Sequence, residues 1–161
     1  GKISSQHYEK NSFDIITINH VIEHIHDVDA LLNEALTVLK KDGKLIIATP
    51  NTGSWLHRHY GKFWLHLDPP RHLHIFNNAN LETTLKRAGF KIEKSFSSNR
   101  MEAWTTIVSR AIQRNGTFKI GQEKKKKSDL IVGLLYQSLS FVFSLFNKKL
   151  GAEVIIIATK K

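Results

Sequence analysis

The densest chemistry in the chain lies in the five residues His20-Val21-Ile22-Glu23-His24. Their order fits H-x-x-E-H, in which two histidines on one helical face grip zinc and the glutamate stands beside a metal-bound water. Hydrolysis of a peptide by that device needs a continuous helix under both histidines, and the neighbours do not supply one. The preceding Phe13-Asp14-Ile15-Ile16-Thr17-Ile18-Asn19 is β-branched and almost continuously apolar, the composition of a parallel strand buried on both faces. The next helix signal comes only at Asp27 or Asp29. His20 and His24 are therefore expected across a strand-to-helix turn. A third ligand would have to be a remote carboxylate (Glu82, Glu93 or Glu102), none of which has supporting context. The bland alternative is that Glu23 and His24 merely shape the turn.

A second group of capable side chains falls in residues 51–76, a long irregular stretch with two of the three tryptophans and five histidines. Long loops in compact domains usually serve as lids or binding segments. Trp55, Phe63 and Trp64 are suited to stacking on a planar substrate, and Arg71, His72 and His74 to holding an anionic group. The competing reading is a lid whose aromatics only pack on the core. Zinc held among His57, His59, His66, His72 and His74 matches no ligand spacing, and no metal is expected.

The elements that must position these groups follow from periodicity. Val28, Leu31, Leu32, Ala35, Leu36 and Leu39 recur at helical spacing behind an aspartate cap, with Lys40 and Lys41 favouring the helix end and Gly43 stopping it. Lys44-Leu45-Ile46-Ile47-Ala48-Thr49 is a second buried strand, halted by Pro50. Strand, helix and strand in so short a span make a βαβ unit and imply a parallel sheet. Asn77 or Asn78 starts another helix that carries Leu81, Leu85 and Ala88 and ends at Gly89. Residues 90–96 alternate as a third strand, and 151–159 read as a fourth. Between these last two lies a helical insertion at about 100–150. It contains a helix over 101–114, a charged and solvated segment over 119–127, and an apolar helix over 130–146. In that last helix Gly133, Gln137, Ser140 and Ser144 form one narrow stripe. Its seventeen residues at ~1.5 Å each reach roughly 25 Å, short of a ~30 Å hydrocarbon core, so a spanning helix is not expected.

Composition sets the outer bounds. The chain of 161 residues suits one domain, and 41% hydrophobic residues are enough for a core. Without cysteine there are no disulfides, thiolate nucleophiles or Cys-bound zinc, which agrees with a cytoplasmic address. The polar opening Gly1-Lys2-Ile3-Ser4-Ser5-Gln6 lacks a secretory core, and the absence of an initial methionine suggests a piece of something longer. A formal charge of +10 favours anionic partners. The basic residues are too scattered to suggest nucleic acid.

In combination, Phe13-Asp14-Ile15-Ile16-Thr17, Val21-Ile22-Glu23-His24-Ile25, Asp27, Leu39-Lys40-Lys41-Asp42-Gly43-Lys44-Leu45 and Thr49-Pro50-Asn51 resemble class I S-adenosylmethionine-dependent methyltransferases. The similarity is to the branch with the ubiquinone-biosynthesis O-methyltransferases, and Arg71-His72-Leu73-His74-Ile75-Phe76 with Ala88-Gly89-Phe90 extends it. The resemblance implies a Rossmann-like α/β fold whose mostly parallel sheet has an antiparallel closing strand. It implies S-adenosylmethionine as cofactor and a small-molecule or lipid-like methyl acceptor. By the same resemblance Asn19, His20 and Val21 border the cofactor, while Glu23 and His24 lie near the transferred methyl, with His24 a candidate base.

The chain also departs from that family. The Gly-rich loop after the family's first strand and the acidic residue that holds the ribose are absent, and the first three strands of the sheet have no counterpart. This chain alone is expected to be inactive, and its bared strand edge to promote self-association. A non-catalytic interaction domain that keeps half the fold is the alternative reading. The 130–146 helix is expected either to bury against the rest of the molecule or to touch a membrane peripherally, aided by the flanking lysines.

Overall fold

The computed structural model describes residues 3–118 and 126–160; the charged segment expected over 119–127 lies mostly outside them. Strand β1 (Phe13–Asn19) leads through a single 3-10 turn at Ile22–His24 to helix α1 (Val28–Val38). Asp27 caps α1 by accepting from the Ala30 amide at 2.9 Å. Strand β2 (Leu39–Pro50) follows directly, so the helix ends before the lysines and not at Gly43. Lys-Lys-Asp-Gly instead forms an irregular turn within the strand, with Asp42 in the left-handed region at φ 64°. Gly43 is required there because a Cβ would stand 2.9 Å from the Lys40 carbonyl oxygen.

The stretch over 51–76 is more ordered than its composition suggests. Ser54 caps a short helix α2 (Trp55–Tyr60) through the His57 amide, and 3-10 turns follow at Gly61–Phe63 and Leu65–Leu67. Helix α3 (Asn78–Arg87) begins on a reciprocal cap between Asn77 and Asn80. Strand β3 (Phe90–Ser98), helices α4 (Glu102–Asn115) and α5 (Lys127–Phe146), and strand β4 (Glu153–Lys160) complete the chain.

The four strands lie in the order β1-β2-β4-β3. β1 runs parallel to β2, and β4 is inserted antiparallel between β2 and β3. This is the expected parallel sheet with an antiparallel closing strand. Burial alternates along it: Leu45, Ile47, Val154, Ile156 and Ala158 are buried among Leu32, Ala35, Leu81, Leu85 and Phe90. The intervening Ile46, Ala48, Ile155 and Ile157 are only half-buried. The strands expected to be buried on both faces are thus covered on one, by α1 and α3. β1 pairs on one side only among the described residues, and Ile15 on it is exposed.

Candidate functional site

The His20–His24 segment turns rather than coils. His20 follows β1 with φ 50°, in the left-handed region, and only Ile22–His24 form a helical turn. The zinc-peptidase geometry is therefore absent, as the strand before it predicts. What forms instead is a carboxylate–histidine–carboxylate arrangement at the carboxyl end of the sheet. His20 Nε2 lies 2.8 Å from Glu153 Oε1, and its Nδ1 lies 3.4 Å from Glu23 Oε1. The hydroxyl of Thr49 donates to Glu23 Oε2 at 2.9 Å.

Electrostatics follow from these contacts. The bond to Glu153, then that to Glu23, raises the His20 pKa to about 9, against a smaller opposing effect of burial. His20 is thus a cation at neutral pH. Burial alone would raise the Glu23 carboxyl, but the bonds from His20, the backbone and Thr49 outweigh it and hold the group below the ordinary glutamate range. Because the folded pKa of His20 is raised, its contribution to stability is fully present below about 6.5 and is lost as pH rises through about 9. Its side chain is 40% exposed, so solvent screening reduces the effect to about 1 kcal/mol. Urea denaturation at pH 6 and pH 9.5 should show that loss in the wild type, and His20→Gln should make the difference smaller by about 1 kcal/mol.

The Arg71–His74 strip is tied to the same turn. The Leu73 and His74 amides donate to the Glu23 carbonyl at 2.8 and 3.1 Å, and His24 Nδ1 donates to the Arg71 carbonyl at 2.9 Å. The His24 and His72 rings meet edge to face with centroids 4.7 Å apart. One donor atom each from Glu23, His24 and His72 lies within 4.8 Å of the others, close enough to hold a metal ion. Glu23, Thr49, Trp64, His66, His72 and His74 line one narrow cleft.

The structure thus gathers Glu23, His24, His72 and His74, with His20 bridging Glu23 and Glu153 and with Asn19 and Val21 exposed at the end of β1. Trp64 reaches the cleft but is 2% exposed, packed on His57 and His66. Arg71 points outward and pairs with Asp68 at 2.6 Å. Trp55 lies apart, stacked near Tyr136 and edge-on to Phe143, with its indole N–H donating to Ser140 Oγ. Two further residues have places at the site that the sequence did not assign to them. Glu153 is an acid that opens β4 directly before the apolar run Val154–Ala158, which was the available signal. His66 is driven down to about 4 by burial, so it is neutral, and its Nε2 lies 3.0 Å from Thr105 Oγ1.

A methyltransferase-domain family matches residues 2–95. The ubiquinone biosynthesis O-methyltransferase of Pelagibacter ubique (strain HTCC1062) is 40% identical over 43 residues, which are 27% of this chain and 18% of that protein. A SAM-dependent methyltransferase from Thermotoga maritima, described as a possible histamine N-methyltransferase, superposes with a TM-score of 0.57 at 21% identity. That alignment covers 100% of this chain and 62% of the Thermotoga chain. Phosphoethanolamine N-methyltransferase 2 of Haemonchus contortus, in complex with phosphomonomethylethanolamine and S-adenosylhomocysteine, gives a TM-score of 0.52 at 19% identity. In this case 95% of this chain and 34% of the Haemonchus chain are covered. The chain spans less than two thirds of each of these proteins, and the structural likenesses concern the fold. Since the family match takes in more than half of its residues, the chain belongs to the methyltransferase-domain family, among the class I S-adenosylmethionine-dependent methyltransferases.

Proposed function

We propose that the protein carrying this chain transfers a methyl group from S-adenosylmethionine to a small-molecule or lipid-like acceptor. The observation that supports this most is the position of the His20–His24 turn. It lies beyond the carboxyl end of β1, where open α/β sheets take nucleotide cofactors. The residues present fit one wall of such a site. Asn19, His20 and Val21 are exposed there, and the chain turns through the left-handed region at His20. No glycine occurs between Gly1 and Gly43, so a Gly-rich loop for the methionine part would come from another segment.

When bound, the cofactor supplies an electrophilic methyl on a sulfonium. What this chain adds is placement of the acceptor in line with it, an effect worth up to ~7–11 kcal/mol in favourable cases. His24 is the group suited to take the acceptor's proton. Its Nδ1 is spent on the Arg71 carbonyl, which leaves Nε2 as the basic nitrogen of an exposed residue. Glu23 positions the strip around it through its carbonyl.

Backbone-amide NMR of the 161-residue chain with added S-adenosylhomocysteine tests the cofactor assignment. Shift changes should centre on Asn19, His20 and Val21, with weak affinity. Their absence at millimolar ligand, both in this chain and in a longer protein that contains it, would leave the non-catalytic interaction domain as the better reading. In an active protein containing the chain, His24→Ala should lower turnover by about 10²–10⁴. Unchanged turnover would remove the base role.

A further inference from the structure

Helix α5 is inside out. Its buried residues are Asp129, Gly133 and Ser140, whereas Ile131, Leu134, Leu135, Phe141, Leu145 and Phe146 are 55–86% exposed. Between Leu130 and Phe146 there is no charged residue. The one hydroxyl on the outward arc, that of Ser138, is satisfied by the Leu134 carbonyl at 3.1 Å. The polar stripe legible in the sequence is the side that packs on α4, and the apolar side is left to the outside.

This orientation is locked. Asp129 accepts from Arg110 Nε at 3.0 Å and from Arg114 Nη1 at 2.7 Å, both on α4. Gly133 sits so close to α4 that a Cβ would lie 3.0 Å from the Ala103 carbonyl oxygen. Ser140 receives the Trp55 indole N–H, and its carbonyl accepts from Asn99 at 3.2 Å. Rotating α5 to bury its leucines would break every one of these bonds.

We propose that the outward face of α5 seats on an anionic phospholipid surface, with the helix lying in the plane of the interface. Basic residues stand at both ends of the apolar arc, with Lys126 and Lys127 before it and Lys148 and Lys149 after it. Beside its carboxyl end a groove of about 630 Å³ is lined by Lys94, Lys148, Phe96 and Leu145, joining positive charge to apolar surface. An apolar strip with lysines at its margins is what a negatively charged interface selects. A second copy of the chain fits less well. With lysine pairs at both ends, face-to-face packing in either direction brings like charges together. A transmembrane path fits less well too. The 20 residues of α5 are long and apolar enough to cross a bilayer by length and composition, but one side of the helix is fastened to α4 through a buried aspartate. Since Trp55 bonds α5, docking would bring α2 near the lipid. The inference rests on the helix alone and holds whether or not methyl transfer is the reaction.

Vesicle flotation of the 161-residue chain tests it without an activity readout. The chain should float with equimolar phosphatidylcholine–phosphatidylglycerol vesicles at low salt, about tenfold more than with phosphatidylcholine alone. Leu134→Glu with Phe141→Glu should abolish flotation, and Lys126→Glu with Lys127→Glu should weaken it on anionic vesicles only. Circular dichroism melts check folding, and Leu145→Ser gives a milder variant with intermediate flotation. A wild-type chain that stays at the bottom of the gradient overturns the proposal, as does flotation unaffected by the glutamates. So does a dimer in light scattering that the glutamates dissolve while no vesicle is bound, since the face would then belong to a second copy.

Discussion

Asp129→Ala is expected to destabilise the protein by about 3 kcal/mol and to loosen the amino-terminal half of α5. The carboxylate is 2% exposed and bridges two guanidinium groups on α4, each about a third exposed. Removing it leaves two like charges side by side where an anion separated them. Their partial exposure lets water compensate in part, which places the loss at the lower end of the range for a broken buried pair. The bond from Arg114 outweighs the opposing effect of burial and, with the bond from Arg110, holds the Asp129 pKa at about 2. For a depressed carboxylate the contribution is present above its ordinary pKa and is lost as pH falls through about 2. That linkage amounts to about 2 kcal/mol. Urea denaturation at pH 7 should show the full loss in Asp129→Ala, and the variant should lack the wild type's decline toward pH 2. Hydrogen exchange gives the local readout: amides of residues 130–136 should lose protection while β2 and β4 keep theirs. Uniform loss of protection would mean that α5 is not a separable unit.

The same ion pair explains what the sequence could and could not convey. Periodicity showed a narrow stripe of Gly133, Gln137, Ser140 and Ser144 on an apolar helix, and both faces were read correctly as faces. Their direction depended on Arg110 and Arg114, which lie one turn apart on α4 and turn Asp129 inward. A pattern in one helix carries no information about its neighbour's charges. The end of α1 was misplaced for a local reason. Lys-Lys-Asp-Gly serves equally well as a helix end and as a kinked strand, and only the pairing of Phe13 with Leu39 decides between them. Strand identity, the caps at Asp27 and Asn77, and the turn at His20–His24 were legible because each rests on residues within one or two turns. His20's partner Glu153 was not, because it is delivered by a register between β2 and β4 that pairs Pro50 with Glu153 across the sheet.

Glu102→Gln should do the opposite of Asp129→Ala and stabilise the fold above neutral pH. Glu102 opens α4, is completely buried, and accepts the Ala152 amide through Oε1 at 2.8 Å. Burial pushes its pKa up from 4.5 to about 7, although the Ala152 amide and the Ser140 hydroxyl draw it partly back. The folded state therefore holds a proton that the unfolded chain has released, and stability falls as pH rises from about 4.5 through about 7. The full linkage is about 3 kcal/mol. Glutamine keeps an oxygen for Ala152 and places a donor toward Ser140 where the charge would otherwise develop. The variant should match the wild type near pH 4.5 and exceed it by about 2–3 kcal/mol at pH 8. The wild type then shows two successive losses on alkalinisation, one removed by Glu102→Gln and the later one by His20→Gln. Equal stability of Glu102→Gln and wild type at pH 8 would mean that the carboxyl is hydrated in solution, and that the junction of α4, α5 and β4 admits water.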